Sequence, residues 1–165
     1  MPFLVVDYDA TWPQQFKEEK EQIITVASEY IEAIEHFGST SIPGMCAKPK
    51  IDILIGLQDL ALVEHCIEPF QRLNYVYGGE IAPERYYFRK PTSRELVSTH
   101  HLHLVQFGSQ EWEQPLLFRD YLRTHPMTAH EYGLLKKRLI TQFGRYSAED
   151  KSTFIQSVLR ESPSE

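Results

Sequence analysis

The strongest constraint on this chain is the junction between a loop of small residues and an almost wholly apolar run. It reads Gly38-Ser39-Thr40-Ser41-Ile42-Pro43-Gly44-Met45-Cys46-Ala47-Lys48-Pro49, followed by Lys50-Ile51-Asp52-Ile53-Leu54-Ile55-Gly56-Leu57. Pro43, Gly44 and Pro49 turn or stiffen the loop, and Lys50 to Leu57 reads as a buried strand. Alternation places Lys50, Asp52 and Leu54 on one face and Ile51, Ile53 and Ile55 on the other. The isoleucine face should pack against helices, so Asp52 stands on the opposite face, near the loop. A carboxylate inside so apolar a strand is costly unless something pairs with it. Asp52 is therefore read as a site residue, either a metal ligand or the partner of a basic group. Upstream, Gly38 lets the backbone turn tightly or approach a ligand closely. Ser39, Thr40 and Ser41 add three hydroxyls that, with backbone N–H groups, could hold phosphate oxygens.

Around this junction the chain alternates between helical and extended patterns. Thr11 could cap a helix from Trp12 to about Tyr30, with Phe16, Ile23, Ile24, Ala27 and Ile31 inward and Lys17 to Glu21 a solvated charge run. Trp12 could stack on a base, but a packing anchor is the commoner role. Ile34 to Phe37 forms a first strand. Asp59 can cap a helix running to Leu73 and closed by Asn74. Tyr75 to Tyr77 and Tyr86 to Phe88 read as aromatic strands around a Gly78 to Pro83 connection. Lys90 to Thr99 reads as a mobile polar loop, and His100 to Phe107 as a strand. Ser109 caps a helix from Gln110 to about Thr124, held to the core by Leu117 and Tyr121 with Phe118 and Leu122. Pro126 opens another to about Phe143. Ser147 with Asp150 makes a weak capping box for a last helix carrying Phe154, Ile155, Val158 and Leu159, and the tail from Glu161 reads as frayed. This order predicts an α/β (α+β) fold, with a mixed sheet of about five strands, helices outside and a helical C-terminal third. One domain over residues 1–165 is expected.

Several polar residues are candidates for chemistry. His101 and His103 share a face of their strand. With Asp52 on an adjacent strand they could hold a transition metal with one position open to water. Alternatively His103 acts through hydrogen bonding or proton transfer, and His101 could equally be exposed. Glu80 could supply a further metal carboxylate; a solvated turn is the bland alternative. Arg85 or Arg89 could grip a phosphate bidentately. Arg119 and Arg123 stand four apart and project from one helix face, where they suit a phosphate or carboxylate, or form a solvated stripe. Asp120 could fix one of them. Tyr132 and Lys136, also four apart, set a ring beside an ammonium. His36 either faces the site or is a hydrogen-bonded structural histidine. Cys46 is a reactive thiol or a small packing residue, and Cys66 belongs to the core.

Seventeen basic residues against twenty-three acidic ones leave a net charge of −6. That balance argues against a surface built to hold duplex nucleic acid and permits a locally basic pocket for a phosphorylated small molecule. No stretch has the length and apolarity of a transmembrane helix. Met1 to Asp7 lacks the basic region and cleavage site of a signal peptide, so the cytoplasm is expected.

Gly38-Ser39-Thr40-Ser41-x-Pro43-Gly44-x-x-Ala47-Lys48-Pro49-x-Ile51-Asp52-Ile53 resembles the signature of the GrpB-like family, bacterial proteins of the nucleotidyltransferase superfamily. His101-Leu102-His103-Leu104-Val105, Phe118-Arg119-Asp120-Tyr121-Leu122-Arg123, Glu131-Tyr132 with Lys136, and Tyr8, Trp12 and Pro13 extend the likeness from residue 5 to residue 160. The resemblance implies a nucleotidyltransferase-like core with a cleft between the Gly38–Asp52 region and the helix carrying Arg119. There Gly38, Ser39, Thr40, Ser41, Lys48, Arg85, Arg119, Arg123, Tyr132 and Lys136 would bind substrate phosphate, and Asp52 and His103 would have catalytic roles. The superfamily places two carboxylates at alternate positions, about ten residues after a Gly-Ser turn, and a third on a neighbouring strand, to hold divalent metals. Asp52 matches the second carboxylate. Lys50 occupies the first position, and the histidine strand offers His101 and His103 for the third.

Two functions follow from the resemblance. One is a transferase-type protein acting on or binding a nucleotide or other phosphorylated molecule, with Mg²⁺ held by Asp52 and Glu80. The other is a nucleotide- or coenzyme-binding or regulatory module that has lost two-metal chemistry. Relatives fused to a coenzyme A biosynthetic kinase imply a nucleoside triphosphate or coenzyme-like ligand. A histidine-metal hydrolase using His101 and His103 is a third possibility.

Overall fold

The computed structural model describes residues 5–93, 97–143 and 148–161. Strands β1 (Ile31–Phe37), β2 (Ile51–Leu57), β3 (Val76–Ala82), β4 (Arg85–Pro91) and β5 (Ser98–Gln106) form one sheet in the order β1-β2-β5-β4-β3. β2 and β5 run parallel; the other neighbours are antiparallel. Helices α1 (Trp12–Ala27) and α2 (Val63–Arg72) cover one face. α3 (Gln110–Thr124) lies on the other and packs with α4 (Pro126–Phe143) and α5 (Ala148–Glu161). This is the mixed sheet with a helical C-terminal third that the element order predicts.

The alternation in β2 explains why the layers form. Ile51, Ile53, Ile55 and Leu57 are fully buried with Leu102 and Leu104 of β5 against Ile23, Ala27, Val63, Cys66 and Phe70. Each such side chain contributes on the order of 2 kcal/mol on burial. A slip of one residue would turn this face outward and drive Asp52 among the helices, so the register is strongly specified. On the opposite face Leu54 and Val105 meet Trp112 of α3. Trp12 is buried as a packing anchor, edge-on to Tyr8.

Local details depart from expectation where long-range contacts decide. α1 stops at Ala27; a 3-10 turn over Ser28–Tyr30 follows, and Ile31 opens β1. The Gly78 to Pro83 stretch is mostly strand: β3 continues to Ala82, with register shifts on either side of Gly79 (φ 77°), and the chain reverses at Pro83 and Glu84. A glycine pair that reads as a connection is here an irregularity within a ladder. Thr11 and Ser109 stand at N-cap positions without capping; Thr11 donates its hydroxyl to Asp9 and Ser109 donates to the Gln106 carbonyl. Asp59 does cap, accepting from the Ala61 N–H ahead of a 3-10 turn that leads into α2. Leu117 is exposed, so Trp112 and Leu122 hold α3 in its place. The charge run in α1 is not wholly solvated, because Glu19 turns inward to accept from Tyr75 Oη (2.8 Å) and Lys90 Nζ. β4 runs through Pro91 and β5 begins at Ser98, shortening the expected loop; residues 94–96 lie outside the described residues. The capping box at Ser147 and Asp150 and the tail beyond Glu161 also fall outside the side chains described. Among the described residues no helix is long and apolar enough to cross a membrane.

Candidate functional site

Between the α3-side face of the sheet and helices α3 to α5 lies a cavity of about 700 Å³. Its sheet-side wall carries Asp52 from β2, His101 and His103 from β5, Arg85 and Tyr87 from β4, and Lys48 and Lys50 from the loop before β2. The turn Gly38-Ser39-Thr40 closes one side. The loop and strand that dominate the sequence therefore converge on one hollow, with Asp52 facing it.

Gly38 and Asp52 are fitted to one another. Gly38 adopts φ 74° and ψ −175°, a conformation essentially reserved for glycine. A Cβ there would lie 2.6 Å from Asp52 Oδ2, so the carboxylate rests against a bare Cα. Ser39–Ser41 then form a single 3-10 turn. Of the three hydroxyls, Ser39 accepts a hydrogen bond from Lys136 Nζ at 2.7 Å and lines the cavity. Thr40 is buried with its hydroxyl bonded to His36 Nε2 at 2.9 Å. Ser41 is buried too, and donates back to the Gly38 carbonyl, so it shapes the turn and does not line the cavity. His36 is structural: it stacks on Phe16 of α1 with ring centroids 4.9 Å apart, on the side away from Asp52.

The two histidines of β5 stand beside Asp52 in different states. His101 pairs with Asp52 in the β2–β5 register, yet its Nδ1 is 3.8 Å from Asp52 Oδ1, too far for a hydrogen bond. Burial first, then the positive fields of Lys50, Arg89 and Lys48, push its pKa down to about 3, so His101 is neutral despite the neighbouring carboxylate. It is half-buried, not exposed. His103 accepts a hydrogen bond from Arg85 Nη1 at its Nδ1 (3.2 Å), which places the ring proton on Nε2. With Nδ1 occupied, His103 is set up as a donor and not as a proton acceptor at that nitrogen. Phe37 and Tyr87 hold its ring edge to face. These two aromatics line the cavity and were not singled out from the sequence. The strand alternation that puts Tyr87 opposite His103 was the available signal.

Other predicted site residues go elsewhere. Glu80 is exposed on β3, pairs with Tyr86, which packs toward the α1–α2 core, and accepts from the Glu84 N–H at 2.9 Å. It does not join Asp52 and the histidines. Arg119 lines the cavity but is a fastener: its guanidinium reaches Glu35 (2.6 Å), Asp120 (2.9 Å) and the His36 carbonyl (3.0 Å). Arg123 donates to the Ser41 carbonyl at 3.0 Å and lines a separate hollow with Cys46 and Gly133. The two arginines therefore do not converge on one anion. Lys136 is buried, and besides Ser39 it donates to the Cys46 carbonyl at 2.6 Å, with its ammonium over the Tyr132 ring. Cys46 is buried against Gly133 as a packing residue.

Among the described residues no three His, Cys, Asp or Glu side chains are placed to share a metal ion. One carboxylate, two imidazoles and adjacent lysines do not fit a two-metal clamp, which needs several oxygen donors and no competing cation.

Comparison with known proteins agrees with this architecture. The UPF0157 protein YqkA of Bacillus subtilis is 43% identical over 140 residues, which make up 84% of this chain and 40% of that protein. This chain thus spans well under half the length of that relative. The glutamate-rich protein GrpB of Alkalihalophilus pseudofirmus is 33% identical over 164 residues, covering 96% of this chain and 94% of the relative. The crystal structure of GrpB from Enterococcus faecalis matches with a TM-score of 0.86 at 36% identity over 96% of each chain. Cid1 poly(U) polymerase matches with a TM-score of 0.56 at 10% identity, over 83% of this chain and 44% of that one, a likeness of fold alone. A family model described as GrpB protein matches residues 2–161. The chain belongs to the GrpB family, on a nucleotidyltransferase-like fold.

Proposed function

We propose that the cavity binds the phosphate of a phosphorylated small molecule through protein cations, without the two-metal clamp of nucleotidyl transfer. The observation that carries this reading is the charge beside Asp52. Lys48 and Lys50 line the cavity with Asp52, and His101 is held neutral there first by burial and then by the positive fields of Lys50, Arg89 and Lys48, in a chain whose net charge is −6. Where the superfamily pattern expects a first metal-binding carboxylate, Lys50 supplies the positive charge itself. A phosphate entering the cavity would meet the ammonium groups of Lys48 and Lys50 and the Ser39 hydroxyl. The fixed Nε2–H of His103 would add a neutral donor. Asp52, against Gly38, would orient these cations and accept from a ligand hydroxyl.

Isothermal titration with inorganic phosphate and nucleoside triphosphates, in EDTA and then in Mg²⁺, tests the reading. Binding is expected in EDTA, weakened about tenfold or more by Lys50→Glu. No binding in either buffer contradicts it. The transferase reading has one observation on its side, the placement of the Asp52 carboxylate in the cleft. Pyrophosphate release that requires Mg²⁺ and is abolished by Asp52→Ala would favour it over simple binding.

A further inference from the structure

We propose that the ligand of this cavity carries an aliphatic arm on its phosphate, and not a planar base. The inference rests on the phosphate-binding reading above and adds the chemical class of what is attached. At about 700 Å³ the cavity is of the size that takes a whole small molecule and far exceeds what a phosphate alone would fill.

Beyond the first turns of α3, the wall facing the charged sheet is largely carbon. Gln110, Glu111 and Gln114 line its start in those first turns, and beyond them Pro115, Phe118 and Leu122 of α3 with Ile155 and Leu159 of α5 give it a carbon surface. Ile155 and Leu159 stand four apart, so they share one stripe of α5. The helix uses its other apolar residues for packing: Val158 is buried, and Phe154 stacks on Tyr132 with centroids 5.1 Å apart. α5 therefore has a second apolar stripe, half-buried, whose neighbour is the cavity.

Gln110 and Gln114 could meet the edge of a base, but a base would also need an aromatic face to stack on. Tyr132 is 3% exposed, stacked by Phe154, with Phe118 at right angles to it and the Lys136 ammonium 4.8 Å from its centroid. The rings of Tyr87 and Phe37 are engaged with His103. The guanidinium of Arg119, the strongest donor on the helical wall, is taken up by Glu35, Asp120 and the His36 carbonyl. An alkyl chain asks only to be removed from water, and this wall offers that.

Isothermal titration of a series from methyl phosphate to hexyl phosphate, with AMP and inorganic phosphate alongside, tests the inference. Affinity should rise about fourfold for each methylene that reaches the helical wall. Hexyl phosphate should bind more tightly than AMP. In the Ile155→Asn/Leu159→Asn double variant the dependence on chain length should flatten while methyl phosphate binds as before. If that variant does not fold, the wild-type series alone decides. Equal binding of methyl and hexyl phosphate, or AMP binding more tightly than hexyl phosphate, overturns the aliphatic arm and leaves the phosphate reading standing. Failure of every compound, inorganic phosphate included, overturns both.

Discussion

Asp52 can face an open cavity because Gly38 has no side chain. Gly38→Ala would force an alanine into a conformation costing about 1–3 kcal/mol and set its methyl 2.6 Å from Asp52 Oδ2. We expect a fall in unfolding free energy of at least that size, read from urea denaturation, together with loss of anion binding. Lys50 allows a sharper experiment. Lys50→Asp would put a second carboxylate two residues before Asp52 on the same cavity wall, so the variant should gain Mn²⁺ binding, seen by electron paramagnetic resonance, and lose phosphate binding. His36 gives a pH dependence. Burial, then the charges of Arg123 and Arg119, push its pKa down to about 4, below the unfolded value of 6.5. Between those values the unfolded chain binds more protons, so stability rises with pH through the window and is lost as pH falls from 6.5 toward 4. The contribution is on the order of 3 kcal/mol. His36→Gln should reduce the slope of urea midpoint against pH over that window; an unchanged slope would show that His36 does not carry it.

At the scale of elements, two buried cations hold the helical third to the turn. Lys136 ties α4 to Ser39 and the Cys46 carbonyl, and Arg119 ties α3 to β1. Lys136→Met leaves the buried Cys46 carbonyl without that donor and should cost about 1–3 kcal/mol, measurable by urea denaturation. The spacings of both pairs were legible in the sequence; their directions were not. Arg119 and Arg123 lie on one face of α3, but four residues of helix separate them by about 6 Å along the axis. They therefore bracket the turn, one taking the His36 carbonyl before it and the other the Ser41 carbonyl at its end. A period identifies a helix face, yet the object opposite that face comes from a distant part of the chain.

The same division holds for the whole molecule. β2 announced both of its faces, because a strand with isoleucine at every second position has one buried side, and Asp52 had to be on the other. Features made by contact between distant segments stayed hidden. Glu19 looks like one of a run of surface charges until β4 brings Lys90 across to it. Glu80 looks close to the site in sequence, but its pairing with Tyr86 turns it toward the other face. The outcome is a chain acidic overall whose one described carboxylate on β2 sits among lysines. The most direct test of that local positive pocket is a two-dimensional nuclear magnetic resonance titration with inorganic phosphate, in EDTA at neutral pH. The amide signals of Gly38 and Ser39 and the ring signals of His101 should shift together and saturate. If they stay in place while phosphate is raised, the cavity is not an anion site.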